Sequence, residues 1–146
     1  METVIDTVSE VTPSVCEAFA RLMPQLSARL GAPSAERLRR ICLSPASALL
    51  AARRGAEIVG LLTLVWYDAP SGRKAWIEDV VVDAAARGCG AGEALVRAAL
   101  ARARQVGADR VMLTSSAART AARNLYRKVG FEEAETTVFA LKTEEQ

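Results

Sequence analysis

The sequence predicts a single mixed α/β domain of the α+β type, in which an antiparallel strand meander precedes a strand–helix–strand unit. The chain has 146 residues, of which 51% are apolar and 25% charged, enough for one hydrophobic core and too short for two. Strand-like runs separated by Gly- and Pro-containing turns occupy residues 48–82, and a helical pattern follows from about Gly90. We expect one domain over residues 1–146, with about four helices and a mixed sheet of six or seven strands.

The N-terminal third alternates strand and helix signals. Thr3–Val8 alternates polar and apolar residues and predicts a first strand. Thr12–Pro13 is typical of an N-cap followed by Pro in the first helical turn. Pro24 should kink or interrupt that helix, since it lacks the N–H that a helix interior needs. A second, short helix is predicted to open at Ser34 and to close before Pro45.

The middle of the chain predicts the meander. Ala48–Arg53 and Glu57–Tyr67 are strand-like runs that a turn containing Gly55 joins into a hairpin. A Pro- and Gly-containing turn then leads into a third run, Lys74–Val82.

The last third predicts two helices between strands. Gly90–Val106 and Thr120–Val129 have helical spacing, and each ends close to a glycine. Arg110–Thr114 is predicted as a buried strand, parallel to Lys74–Val82 because a helix connects the two. Phe131–Leu141 is predicted to contain a final strand.

The residue inventory excludes several kinds of chemistry. The chain has no histidine, so Ser–His and Cys–His nucleophile pairs cannot form. The cysteines, Cys16, Cys42 and Cys89, have no CxxC spacing, which argues against a disulfide framework or a metal site. A net charge of +2 is too small to indicate a nucleic-acid partner. With no secretory signal and no membrane-length apolar run, we expect a cytoplasmic protein with no membrane partner.

The most informative segment is the one from Ile77 to Leu95, where a strand runs into a glycine-rich turn and then into a helix. Gly88, Gly90 and Gly92 are on alternate residues and allow backbone N–H groups to converge. Together with the positive end of the helix dipole, such donors suit a pyrophosphate. The turn ends in Gly-Glu-Ala rather than the Gly-Lys-Ser/Thr of a P-loop, and its glycine spacing is not that of a dinucleotide fingerprint.

Two blocks resemble one family. Arg87, Gly90 and Gly92 occupy the defining positions of Arg/Gln-x-x-Gly-x-Gly/Ala, the acetyl-CoA signature of the GNAT superfamily of N-acetyltransferases. Ala122–Phe131 resembles the family's Ala-x-x-Leu-Tyr-x-x-x-Gly-Phe block. Arg119 differs, because relatives often have Asn there. The resemblance implies a GNAT fold whose sheet splays after Lys74–Val82 to open a cleft.

The resemblance also implies acetyl-CoA as acyl donor, no metal, and transfer to a primary amine by direct attack. Tyr126 would protonate the departing thiolate, and the N–H of Val81 would stabilise the oxyanion. Cys89 would have no covalent role. The residues expected at the cofactor are Val80, Val81, Val82, Arg87, Gly88, Cys89, Gly90, Ala91, Gly92, Glu93, Arg119, Ala122, Arg123 and Tyr126.

The base and the cationic helix face have alternative interpretations. Glu78 is the favoured base, but Asp79 or water could serve instead, and Glu78 could equally form a structural salt bridge. Arg119, Arg123 and Arg127 recur every four residues on one helix face. This stripe either contacts CoA phosphates, contacts an acidic acceptor, or is merely solvated.

The acceptor is left open by the sequence. The segment Ile77–Val82 resembles a strand of glucosamine-phosphate N-acetyltransferases, but a lysine, a protein N-terminus, a polyamine or a drug amine fits as well. We expect the acceptor between the N-terminal helices, Thr12–Leu43, and the final strand. The competing hypothesis is a non-catalytic module of the same fold that binds acyl-CoA. A homodimer is also open.

Overall fold

A five-stranded mixed sheet with two helices on each face forms the body of the computed structural model, which describes residues 2–144. The strand order is β1-β2-β3-β4-β5; the first four strands are antiparallel and β5 is parallel to β4. The elements in chain order are β1 Thr3–Thr7, α1 Pro13–Leu26, α2 Ala35–Leu43, β2 Ser47–Arg54, β3 Glu57–Ala69, β4 Gly72–Val82, a 3-10 turn Ala84–Ala86, α3 Ala91–Gln105, β5 Arg110–Met112 and α4 Thr120–Val129.

The caps predicted from the sequence are confirmed. The Thr12 hydroxyl accepts from the Val15 N–H at 3.2 Å, and the Ser34 hydroxyl accepts from the Arg37 N–H at 3.1 Å. Each bond satisfies a donor that the first turn of a helix would otherwise leave unpaired. Pro24 lies in the last turn of α1, and the helix ends two residues after it.

The sheet separates two hydrophobic cores. One lies under α1 and α2 and includes Leu22, Leu38 and Leu61, which are almost completely buried. The other lies under α3 and is built on alternating residues of the central strands, with Leu64 and Leu95 fully buried. Because both faces of β2 and β3 are covered, these strands are near-continuous apolar runs instead of alternating ones.

Three predictions about the C-terminal third are wrong. Within residues 2–144 the sheet has five strands instead of six or seven, and β5 is shorter than the predicted Arg110–Thr114 and only half-buried. No strand forms within Phe131–Leu141 of the described chain, and residues 132–144 are all exposed. A strand persists only where a neighbour satisfies its backbone, and the residue pattern of a segment does not specify that neighbour.

Asp83 connects α1 to the turn that follows β4. This buried carboxylate accepts from the Ala85 N–H at 3.1 Å and from Arg21 Nη1 of α1 at 2.7 Å. The neighbouring Ala84 N–H donates to Gln25 Oε1 at 2.8 Å. The pKa of Asp83 lies below its ordinary value, chiefly because the Ala85 N–H donates to it. The end of β4 is therefore fixed to α1.

Replacing this carboxylate should destabilise the fold in a pH-dependent manner. We expect Asp83→Asn to lower the free energy of unfolding by about 1–3 kcal/mol at neutral pH, because Arg21 loses the more buried of its carboxylate partners and keeps the exposed Glu17. A lowered pKa stabilises the fold above the ordinary Asp value of about 4 and ceases to do so as pH falls through the lower folded-state pKa. Urea unfolding at neutral and acid pH would measure both effects.

The matched control is Asp68→Asn, which removes an exposed ion pair with Arg73. It should change the free energy of unfolding by less than about 1 kcal/mol. Equal losses for the two variants would show that the tie to α1 is unimportant.

Candidate functional site

The central feature of the site is strand β4, which has a strand partner on both sides for only part of its length. β4 pairs with β3 along its length but pairs with β5 only over Lys74–Trp76. Within residues 2–144, Ile77–Val82 has no strand partner on the β5 side. The cleft expected after Lys74–Val82 therefore opens here, and the backbone along its wall is available to an extended ligand.

A β-bulge interrupts β4 at the mouth of this cleft. Leu61 pairs with Val81, whereas Thr63 pairs with Glu78, so β4 carries one residue more than β3 in this interval. Asp79 lies in the bulge with φ of +50° and is the one non-glycine residue with positive φ among the described residues. Asp tolerates this region better than most residues, but the conformation is still strained.

The bulge determines which backbone N–H groups of β4 lie on the β5 side. The Asp83 N–H donates to the Val59 carbonyl at 2.8 Å, and bonded pairs recur every second residue of an antiparallel ladder. The Val81 N–H therefore faces Leu61 of β3. Val80 and Val82 direct their N–H groups to the β5 side, because the extra bulge residue shifts the alternation by one.

The glycine-rich loop follows β4 after the 3-10 turn Ala84–Ala86. Gly88 and Gly90 have φ of +84° and +83°, values that L side chains rarely adopt. Gly90 is the N-cap of α3 and provides no side-chain cap, so the first N–H groups of the helix have no side-chain acceptor there. A β-carbon on Gly92 would lie 3.3 Å from Leu125 Cδ2, so this third glycine allows α3 and α4 to pack closely. The loop thus combines free donors with a helix N-terminus.

The other loop residues differ in exposure. Arg87 is exposed at the start of the loop, Cys89 is half-buried against the core under α3, and Ala91 is buried. Arg87 therefore presents its positive charge to solvent at the start of the loop.

Glu93, in the first turn of α3, is bound by two cations. Lys128 Nζ of α4 lies 2.8 Å from Glu93 Oε1, and Arg97 Nε lies 2.9 Å from Oε2. These bonds, the one from Lys128 above all, lower the pKa of the Glu93 carboxyl. The carboxylate therefore connects α3 to α4. The group of Glu93 that could bind an anion is its backbone N–H.

Tyr126 lies on α4, half-buried against the core under α3. Its ring meets that of Phe131 edge-on, with centroids 6.0 Å apart at 71°. Burial raises the pKa of the Tyr126 hydroxyl, and the charge of Arg119 offsets part of the rise. The hydroxyl therefore stays protonated to higher pH than a free phenol and is suited to donating a proton. Ala122, one turn earlier in α4, is also half-buried.

The three arginines of the stripe, Arg119, Arg123 and Arg127, differ in their contacts. Arg123 forms an ion pair with Glu133 at 2.6 Å, and Arg127 Nη1 lies 3.5 Å from Asn124 Oδ1. Arg123 and Arg127 line a cavity of about 230 Å³ with Ala117 and Thr120. Arg119 precedes α4 and is exposed. Two of the three arginines thus share one surface cavity.

Glu78 shares a sheet face with two aromatic residues that the sequence did not single out. Its register partner is Thr63, and Trp76 pairs with Val65 on the same face, toward α1 and α2. Trp76 Nε1 donates to the Tyr67 hydroxyl at 3.4 Å. In the sequence, the alternate spacing of Lys74, Trp76 and Glu78 was the signal that could have placed these residues on one sheet face. This face therefore combines a carboxylate with an aromatic surface.

The pKa of the Glu78 carboxyl is raised, first by partial burial and then by the neighbouring charge of Asp79. A raised pKa brings a carboxylate closer to the range of an effective general base.

The fold and site together agree with one family. The model of the acetyltransferase (GNAT) family matches residues 14–131, and the chain belongs to this family. It resembles a transcriptional regulator from Bacillus halodurans C-125, with 26% identity over 97% of this chain and 100% of the other and a TM-score of 0.81.

Two further solved structures share the fold. An aminoglycoside acetyltransferase from an uncultured soil metagenomic sample has 20% identity and a TM-score of 0.84, covering 98% of this chain and 97% of its own. A ribosomal-protein-alanine N-acetyltransferase from Brucella melitensis biovar Abortus 2308 has 18% identity and a TM-score of 0.77, covering 98% and 100%. A search of curated proteins gave no significant match.

No group of three or more His, Cys, Asp or Glu side chains that could hold a metal ion occurs in residues 2–144. Across the same residues, every helix is too short or too polar to cross a membrane.

The origin of the Glu78 shift can be tested by removing one charge. Asp79→Asn should lower the pKa of Glu78 toward its ordinary value, because the like charge beside it disappears. Asn also tolerates positive φ, so the bulge should survive the change. Carboxyl-carbon NMR titration would measure the pKa, with Asp68→Asn on the same strand pair as the control that leaves it unchanged. If the pKa of Glu78 is the same in Asp79→Asn as in the wild type, the whole shift is due to burial.

Proposed function

We propose that the protein is an N-acetyltransferase that moves an acetyl group from acetyl-CoA to a primary amine by direct attack in a ternary complex. One observation carries the proposal above the others. The unpaired edge of β4 leads through the short turn Ala84–Ala86 into a loop of positive-φ glycines at the N-terminus of α3. An extended amide-containing arm and a pyrophosphate joined end to end match this arrangement.

The residues present fit that donor. The N–H groups of Val80 and Val82 would bond the pantetheine arm in strand fashion, and the loop N–H groups would hold the pyrophosphate. Arg87 would add a permanent positive charge at the lip. The cavity beside Arg123 and Arg127 would accept a further phosphate. The bound donor supplies an activated thioester carbonyl.

The protein groups around the cleft have distinct roles in this proposal. Glu78, raised in pKa and on the face open to an acceptor, takes a proton from the amine, directly or through water. The Val80 N–H, which the bulge directs into the cleft, stabilises the negative charge that develops on the carbonyl oxygen. Tyr126 returns a proton to the sulfur as the carbon–sulfur bond breaks. No histidine is needed for any of these transfers.

The loop assignment predicts a position-specific loss of binding. Gly90→Val should weaken acetyl-CoA binding by well over tenfold, which is ~1.4 kcal/mol, because the new side chain distorts the loop and crowds the anion. Isothermal calorimetry measures the affinity. Gly107→Val is the matched control, since Gly107 lies at the other end of α3 with φ of +78° and equally open space around a β-carbon.

The same preparations test catalysis. Thiol release with a panel of amino sugars, lysine peptides, protein N-termini, polyamines and drug amines should identify an acceptor. Binding without turnover on any amine would favour the non-catalytic module. Similar affinities for the Gly90→Val and Gly107→Val variants would contradict the cofactor assignment itself.

The proposed role of Tyr126 predicts a defect in turnover. Tyr126→Phe removes one hydroxyl and should lower kcat by ~10²–10⁴-fold, the usual range for positioned proton transfer, with acetyl-CoA affinity nearly unchanged. The defect should shrink as pH rises, because a thiolate leaves more easily unprotonated and the wild-type hydroxyl itself begins to ionise. The measurement is kcat across pH at saturating amine. A neutral-pH rate within about threefold of wild type would assign proton donation to water.

A further inference from the structure

The helices α1 and α2 cover only part of the sheet face that they pack on. Leu61 of β3 and its register partner Val81 of β4 are buried beneath them. Beyond this pair, three further register pairs on the same face are half-buried or exposed: Thr63–Glu78, Val65–Trp76 and Tyr67–Lys74. We call these six residues the open strip. The opposite face of the same strands stays buried, as at Leu64 and Ile77.

The open strip carries a carboxylate, an aromatic surface and a cation in sequence along β4. Glu78, Trp76 and Lys74 are alternate residues of one strand and share one face. The Tyr67 hydroxyl accepts from Trp76 Nε1 at 3.4 Å, so the two rings form a common surface. At the usual strand rise of 3.3 Å per residue, Trp76 lies about 7 Å and Lys74 about 13 Å from Glu78.

The charges at the two ends of the strip have no partner in the described chain. Within residues 2–144, no carboxylate forms an ion pair with Lys74 and no cation forms one with Glu78. The nearby charges of Arg73 and Asp68, by contrast, pair with each other at 2.7 Å. A ligand with a positive end and a negative end is therefore complementary to this strip.

We propose that the open strip selects the acceptor, and that the acceptor is the free N-terminus of an extended peptide with an apolar third residue and an acidic fifth residue. The inference rests on the proposed function, because it places the amine at Glu78. Glu78 borders the unpaired segment of β4, so a nitrogen held there lies beside the cleft. The peptide runs from Glu78 toward Lys74, in the direction opposite to β4.

The periodicity of the strip favours a peptide over other amines. An extended peptide repeats one face every two residues with the same rise as β4, so its third residue meets Trp76 and its fifth meets Lys74. The strip is open, with Tyr67 and Glu78 both exposed, whereas compact ligands are usually enclosed in concave pockets. A polyamine would bring a second cation toward Lys74 and be repelled.

The reaction of such a peptide balances with the groups already described. The terminal nitrogen forms the amide bond to the acetyl carbon as the carbon–sulfur bond breaks. Its proton passes to Glu78, and the sulfur leaves with the proton of Tyr126. Trp76 and Lys74 take no part in these transfers and determine which amine is presented.

Thiol release with three matched peptides tests the selection. The reference peptide has a free N-terminal alanine, a third-position phenylalanine and a fifth-position glutamate, separated by glycines, with an amidated C-terminus. One matched peptide has lysine in place of the glutamate, and the other has glycine in place of the phenylalanine. At low salt the reference should exceed each of them in kcat/KM by about fivefold, as expected for an exposed charge or aromatic contact.

Reversing one charge of the protein is the sharper test. Lys74→Glu should exchange the preference, so that the lysine peptide becomes the better substrate. Trp76→Ala should remove the advantage of the phenylalanine and keep that of the glutamate. Arg104→Glu is the matched control, because it makes the same change in net charge from an exposed position on α3, across the sheet. It should leave every preference unchanged.

Failure of this inference and failure of the proposed function give different results. Equal kcat/KM for the three peptides, or a Lys74→Glu variant that keeps the wild-type preference, would overturn the inference and leave the acetyltransferase intact. Calorimetry of the same peptides with CoA-saturated protein, in which no transfer occurs, measures binding alone. Selective binding without turnover would support the strip and contradict the proposed function, and neither binding nor turnover would overturn both.

Discussion

The backbone of β4 has to satisfy its hydrogen-bonding groups on both sides, and over Ile77–Val82 the sheet provides a partner on one side only. The amides of Ile77–Val82 that do not face β3 lie along a cleft. β5 forms the opposite wall of this cleft and pairs with β4 only over Lys74–Trp76. Unpaired backbone is tolerated at such a position because a ligand or water can bond it. Every other feature of the site is placed relative to this wall: the bulge lies within it, the glycine loop follows it after the turn Ala84–Ala86, and α4 packs beside α3.

The bulge determines which groups the wall presents. Adding one residue to β4 reverses the inward and outward alternation beyond it, so Val80 and Val82 face the cleft instead of Val81. The same insertion holds Asp79 at positive φ beside Glu78. Backbone strain and adjacent like charges both cost stability, and both are concentrated where the proposed chemistry requires a base and an oxyanion donor.

Two side-chain connections hold the elements around the loop. Asp83 and Arg21 connect its start to α1, and Glu93 and Lys128 connect its end to α4. The first pair is largely shielded from solvent, whereas the second is more exposed and should contribute less stability. Their shared effect is positional, since the loop donors, Glu78 and Tyr126 keep their mutual arrangement only if these helices remain in place.

Sequence by itself determined the parts of the protein that depend on a few neighbouring residues. The caps at Thr12 and Ser34, the bounds of α4 and the glycine loop follow from short-range bonding and from conformations that few residues can adopt, so they could be predicted directly. The family was predictable for the same reason, because Arg87–Gly92 and Ala122–Phe131 are local patterns.

Only the tertiary structure decided the features that depend on which strands pair with each other. The bulge in β4, the short length of β5 and the lack of a strand in Phe131–Leu141 of the described chain all reflect which strand lies alongside. That choice is made between segments far apart in the chain. The aromatic surface of Trp76 and Tyr67 beside Glu78 likewise exists only because β3 and β4 pair in one register. Strand pairing is a non-local interaction, and its outcome is fixed by the folded sheet instead of by the pattern of any one segment.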